Sequence, residues 1–176
     1  MNMSTTPPGE VLIEGDRATL LFKRTLAHAP EAVWAALTDP AQLKQWFMTS
    51  ATIDARRGGS VDMVSGPSRF HWQGAILVWD PPRVYEYEWN LDPRPEVPQG
   101  ERSIVRWELT PAGKGTLLTL QHRNLTKPTA IGFAPGTHAF LDRLAALLEH
   151  AALPDWMARY KDVQSHYPTW DRSAAR

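Results

Sequence analysis

Between Phe22 and Phe47 the chain reads FKRTLAHAPEAVWAALTDPAQLKQWF, a strand that runs directly into two proline-started helices. Pro30 stands at a favoured first-turn position, where its missing N–H costs nothing, and Glu31 beside it complements the helix dipole. Val33, Trp34 and Leu37 recur three and four apart as an apolar stripe. Asp39-Pro40 stops this helix and starts a second, in which Leu43, Trp46 and Phe47 share a face. Taken with one long helical pattern near the C-terminus, this order predicts a curved sheet closed on a helix, an arrangement able to hold a small molecule.

The remaining pattern is mostly of period two. Residues 17–27 form a strand with Leu20, Phe22, Arg24 and Leu26 on one side, and 60–64 alternate after the Gly58-Gly59 turn. Over 69–80, Phe70, Trp72, Gly74, Ile76 and Val78 oppose His71, Gln73, Ala75, Leu77 and Trp79. After the Asp80-Pro81-Pro82 turn, Tyr85, Tyr87, Trp89 and Leu91 oppose Glu86, Glu88 and Asn90. A proline-rich loop (92–100) leads to two more strands, 103–110 and 116–124, joined at Gly113. Strands joined this tightly imply an antiparallel meander. A loop through Pro128 and Pro135 is expected before a helix over 137–152, where Phe140, Leu141, Leu144, Leu147, Leu148 and Ala151 form a stripe.

Charge and composition exclude several classes. Lys+Arg and Asp+Glu both number 19, and no basic run is long enough for phosphate-backbone binding, so nucleic acid is not an expected partner. There is no cysteine, which removes disulfides, thiolate catalysis and cysteine-ligated zinc. The six histidines show no metal-ligand spacing, and no cofactor fingerprint is present. The N-terminus has neither the basic nor the apolar region of a secretory signal, and no apolar run approaches a membrane span; a cytoplasmic location is expected. The eight tryptophans must fill a core or border a cavity.

Phe22-Lys23-Arg24, Pro30-Glu31-Ala32-Val33-Trp34, Leu37-Thr38-Asp39-Pro40, Leu43-x-x-Trp46-Phe47, Gly58-Gly59, Gly74, Asp80-Pro81-Pro82, 118–122 (LTLQH) and Phe140-Leu141-x-x-Leu144 together resemble the START-like (SRPBCC) superfamily. Within it the chain is similar to the branch named for the C-terminal domain of the heat-shock-protein-ninety ATPase activator. The resemblance implies an α+β helix-grip fold, a curved antiparallel sheet wrapped around the C-terminal helix with a cavity between them. On that reading residues 1–15 are expected to be disordered, 16–153 form the domain, and 154–176 are a tail with a short helix. Relatives often carry Gly-Trp where this chain has Gly136-Thr137, so an inward Thr137 would widen the pocket mouth.

The expected ligand-binding set is Trp46, Phe70, Trp72, Tyr85, Tyr87, Trp89, Trp107, His122, Thr137, Phe140, Leu141 and Leu144. Any one of these rings could equally be core packing; as a set they favour a cavity. His122 ends an apolar strand face, with Asn124 expected on the same side, and could orient a ligand hydroxyl or act as an acid–base. Arg24 and Arg69 are expected at the surface or pocket rim, and Glu86 and Glu88 on the solvated face. Three functions stay open: carriage or sensing of a small hydrophobic molecule; an enzyme (cyclase, dehydratase or hydrolase) with His122 as acid–base; or a co-chaperone-like partner of a heat-shock ATPase, the reading that would bring a stress-response role. A homo-oligomer is compatible with each.

Overall fold

Eight strands build one antiparallel sheet: β1 (Glu10–Glu14), β2 (Arg17–Leu26), β3 (Met48–Ile53), β4 (Ser60–Ser65), β5 (His71–Asp80), β6 (Val84–Leu91), β7 (Glu101–Ala112) and β8 (Gly115–Thr126). Their order across the sheet is β1-β2-β8-β7-β6-β5-β4-β3, so β3 to β8 form a meander and β2 closes against β8. The computed structural model describes residues 6–66 and 69–169. Helices α1 (Pro30–Thr38) and α2 (Pro40–Trp46) connect β2 to β3, and α3 (Lys127–Leu148) crosses the concave face of the curved sheet. This is an α+β helix-grip fold. A short α4 (Trp156–Val163) follows and packs on α3. No helix among the described residues is long and apolar enough to cross a membrane.

The inner sheet face carries the core. Tyr85, Tyr87, Trp89 and Leu91 of β6, Val105, Trp107 and Leu109 of β7, and Leu118 and Leu120 of β8 are all buried, as their alternation demands. Asp39 serves both short helices: its amide closes α1 on Ala35, and its carboxylate accepts from Ala41 N at the start of α2. The second helix is then locked by Trp46, whose Nε1 donates to Ala36 O at 2.8 Å.

Several sequence expectations are corrected here. Residues 10–14, expected to be disordered, pair along their whole length with β2. Ahead of them, Gly9 N donates to Tyr167 Oη and Thr6 donates to Asp142; residues 1–5 lie outside the described residues. The parity of β5 changes at a bulge between Ile76 and Val78, which turns Trp79 onto the inner face against Trp34 and Tyr85. Asn124 does not share the face of His122. Its backbone is left-handed (φ 63°), its side chain is exposed, and burial passes to Leu125.

The long helix starts ten residues earlier than the 137–152 pattern. Pro128 occupies the first turn, where no N–H is needed, and α3 continues through Pro135 at the expense of one bond to the Ile131 carbonyl. Buried Ala130, Ala134 and Ala139 hold that segment against the sheet by packing rather than by propensity. The segment after α3 carries α4; residues from Trp170 onward lie outside the described residues.

Two charged residues also depart from expectation. Glu86 is buried, because Arg106 and Arg123 from β7 and β8 reach its carboxylate at 3.1 and 3.0 Å. Arg24, expected at the surface or a rim, is buried under α3 with Nε and Nη2 unpaired. Burial lowers its pKa, with the Asp142 carboxylate opposing that shift. Arg69 is exposed.

Candidate functional site: an apolar groove at the start of the long helix

An open groove of about 1130 Å³ lies between the sheet and the N-terminal half of α3. Trp72, Trp89 and His122, from β5, β6 and β8, border it on the sheet side. Phe133, Thr137 and Phe140 of α3 face them, and Trp156, Met157 and Tyr160 of α4 extend that wall. The proline-rich loop contributes Pro95 to Pro98 at the mouth. Deeper in, a second pocket of about 50 Å³ lies among Trp46, Tyr87, Trp107 and Leu141, room for one or two waters at roughly 30 Å³ each. Phe47, Trp89, His122, Thr137 and Phe140 border both spaces.

The expected ligand-binding residues divide accordingly. Phe70, Trp72, Trp89, His122, Thr137 and Phe140 border the groove. Trp46, Tyr87, Trp107 and Leu141 border only the inner pocket. Tyr85 and Leu144 border neither and are buried in the core. The open space therefore lies toward the beginning of α3, while behind it the rings are close-packed. Trp72 stacks on Tyr87 at 5.4 Å, and Trp107 Nε1 donates to Tyr87 Oη at 3.1 Å. Burial pushes the phenols of Tyr85 and Tyr87 up, which keeps both neutral.

His122 is the polar centre of the site. Its Nε2 lies 2.8 Å from Ser103 Oγ on the adjacent strand, and Ser103 donates its single proton to the Trp89 carbonyl at 3.0 Å. With that bond made, Ser103 accepts from His122, which places the proton on Nε2 and leaves Nδ1 as the acceptor. The ring is edge-on to Trp89 at 5.1 Å. Burial pushes its pKa down to about 3, so the imidazole is neutral at physiological pH. Glu96 is the one carboxylate among the described groove residues, and no lysine or arginine is among them. Arg94 instead pairs with Glu96 at 2.7 Å and lies over the Phe70 ring at 4.3 Å. No group of three or more potential metal-ligating side chains converges among the described residues.

Several site residues escape the sequence reading. Phe133, edge-on to Phe70 and Trp89, falls in the segment expected to be a loop. Trp156 donates to Gly136 O at 3.1 Å and packs on Phe140, next to Thr137. A side-chain carbon at Gly136 would come within 2.9 Å of that indole, so the glycine is what lets α4 seat there. Ser103 was discoverable: it shares the parity of Val105 and Trp107 and so had to be a buried hydroxyl in need of a partner.

A family model for activator of Hsp90 ATPase homolog 1-like proteins matches residues 27–149, from the turn before α1 to the end of α3. The chain belongs to this family. Solved structures share the fold. CalU16 from Micromonospora echinospora is 23% identical with a TM-score of 0.68, covering 91% of this chain and 92% of its own. MLL2253 from Mesorhizobium loti is 26% identical with a TM-score of 0.67, covering 77% and 99%. The BPP1335 protein from Bordetella parapertussis is 24% identical with a TM-score of 0.67, covering 93% and 91%. No curated protein matches the sequence. The match spans α1, α2, β3 to β8 and α3, and the groove opens between α3 and the sheet.

Proposed function

We propose that this member of the family binds a small, largely apolar molecule in the groove at the start of α3, for carriage or sensing. The observation that carries this reading is the groove itself: about 1130 Å³ bordered by Trp72, Trp89, Phe133, Phe140 and Trp156, with a single histidine among them. Small-molecule sites are typically apolar concavities of roughly 300–1,000 Å³ with a few placed polar groups. The lack of a basic side chain among the described groove residues favours an uncharged ligand. The groove-lining set of the proposal is Phe70, Trp72, Trp89, His122, Thr137 and Phe140; Trp46, Tyr87, Trp107 and Leu141 support it from behind.

An enzymatic role for His122 has less support. A general base works best with a pKa near the working pH, and burial takes this ring to about 3. Ser103 resembles a nucleophile paired with a histidine, but its proton is committed to the Trp89 carbonyl, the reverse of an activated serine.

The family match supports a second reading, a co-chaperone-like contact with a heat-shock ATPase and a link to stress responses. Either role would be exercised in the cytoplasm. Native mass spectrometry of protein purified from its own host tests the first. A retained organic molecule, lost in Thr137→Trp, is the expected result. A bare protein that no fraction of host extract perturbs would overturn it, and stimulation of the host's heat-shock ATPase would then favour the second.

A further inference from the structure

The hydrogen-bonding sense of His122 restricts the ligand's polar group, if the groove binds a small molecule as proposed above. Ser103 sits on β7 directly beside β8, and its hydroxyl has one proton to give. That proton goes to the Trp89 carbonyl, which can only accept, so Ser103 Oγ receives the Nε2 proton of His122. The other ring nitrogen, Nδ1, then carries a lone pair. It has no partner among the described residues. The ring that carries it borders both the groove and the inner pocket. Leaving such an acceptor unmatched under a bound ligand costs the full desolvation of the lone pair.

We infer that the groove selects a neutral ligand bearing a hydrogen-bond donor, an alcoholic or phenolic hydroxyl or an N–H, placed to donate to Nδ1 of His122 while its apolar body lies against Trp89 and Phe133. A carboxylate or sulfonate has no proton to give there and meets a lone pair instead. A ketone or ether fails for the same reason. The imidazole does not adapt by taking up a proton, because its burial holds it neutral far below physiological pH, and the alternative tautomer would break the Ser103 bond to the Trp89 carbonyl. The groove offers an anion no compensating cation among its described residues.

Isothermal titration of the intact protein with 2-naphthol, 2-methoxynaphthalene and 2-naphthoate tests this, since the three share one aromatic body. The naphthol should bind about tenfold more tightly than its methyl ether, and the carboxylate more weakly than the naphthol. In His122→Phe the naphthol should lose that advantage over the ether. Histidine-selective 15N spectra of the unmodified protein give a readout that does not depend on the variant folding. Nδ1 should resonate as an unprotonated imine nitrogen and move on adding naphthol but not the ether. Equal affinity for naphthol and ether, or tightest binding of the naphthoate, would overturn the donor requirement while leaving the apolar groove standing. No binding of any of the three would overturn the reading of the groove and this inference with it.

Discussion

Trp72 and Tyr87 stack with ring centroids 5.4 Å apart and planes 11° from parallel. Trp72 borders the outer groove and Tyr87 the small inner pocket, so the pair stands between the open and the filled parts of the sheet–helix interface. The filled part is core and should behave as core. Tyr87→Ala is expected to destabilise the fold by about 3–5 kcal/mol, by lost burial and the cavity left behind. Tyr87→Phe keeps the stack but strands the Trp107 indole N–H, for about 1–3 kcal/mol. Urea denaturation of both variants measures this; an unchanged midpoint for Tyr87→Ala would show that the region is not packed.

Glu86 illustrates a different kind of buried contact. Its carboxylate is held between Arg106 and Arg123, and those partners are partly exposed, which weakens each attraction. Glu86→Gln should still cost about 1–3 kcal/mol, because two guanidinium groups converge on a site that has lost its charge. A double-mutant cycle with Arg123→Met should show coupling of about 1 kcal/mol or more; strict additivity would mean that the pair is merely adjacent.

Arg24 points the other way. Its Nε and Nη2 are enclosed without partners, and one guanidinium N–H reaches the Lys23 carbonyl. Replacing an incompletely paired buried charge by an apolar side chain of similar length is often neutral or stabilising. Arg24→Met should leave the thermal midpoint unchanged or raise it. A fall of several degrees would show that attraction to Asp142 outweighs the unpaired N–H groups.

The pH dependence of stability follows from two histidines. His122 and His138 are buried and held to about 3 and about 4, in both cases chiefly by desolvation, below an unfolded value near 6.5. In its neutral form His138 has a partner at each nitrogen, with Nε2 donating to Thr6 and Nδ1 accepting from Tyr167. Below about pH 6.5 the unfolded chain binds protons that the fold does not, so stability is complete above that pH and is lost progressively toward pH 3–4. Each histidine contributes a slope on the order of 1 kcal/mol per pH unit. Thermal melts from pH 7.5 to 4.5 should fall, and His122→Asn should flatten the slope. A profile flat over this range would contradict the burial of both rings.

Much of this architecture was legible in the residues. The period-two runs, the proline-started helices and the stripe from Phe140 to Leu148 specify the sheet, its connections and the crossing helix, and they put Trp89, Trp107 and His122 on the inner face. What stayed hidden depended on irregularity. A single bulge after Ile76 reverses the parity of Trp79, a left-handed Asn124 turns that side chain away from His122, and a helix that tolerates Pro135 brings Phe133 to the groove. None of these has a local pattern, because each is held by contacts with distant strands. The position of the open space was equally non-local. It depends on where α3 begins and on α4 seating Trp156 over Gly136, ahead of the packed rings.

The groove itself is tested most directly by indole 1H–15N spectra of the protein titrated with the uncharged apolar probe N-phenyl-1-naphthylamine. Saturable shifts are expected for Trp72, Trp89 and Trp156, which border the groove, with Trp34 and Trp79, packed together away from it, left in place. Spectra that do not change, or shifts confined to Trp34 and Trp79, would contradict the account.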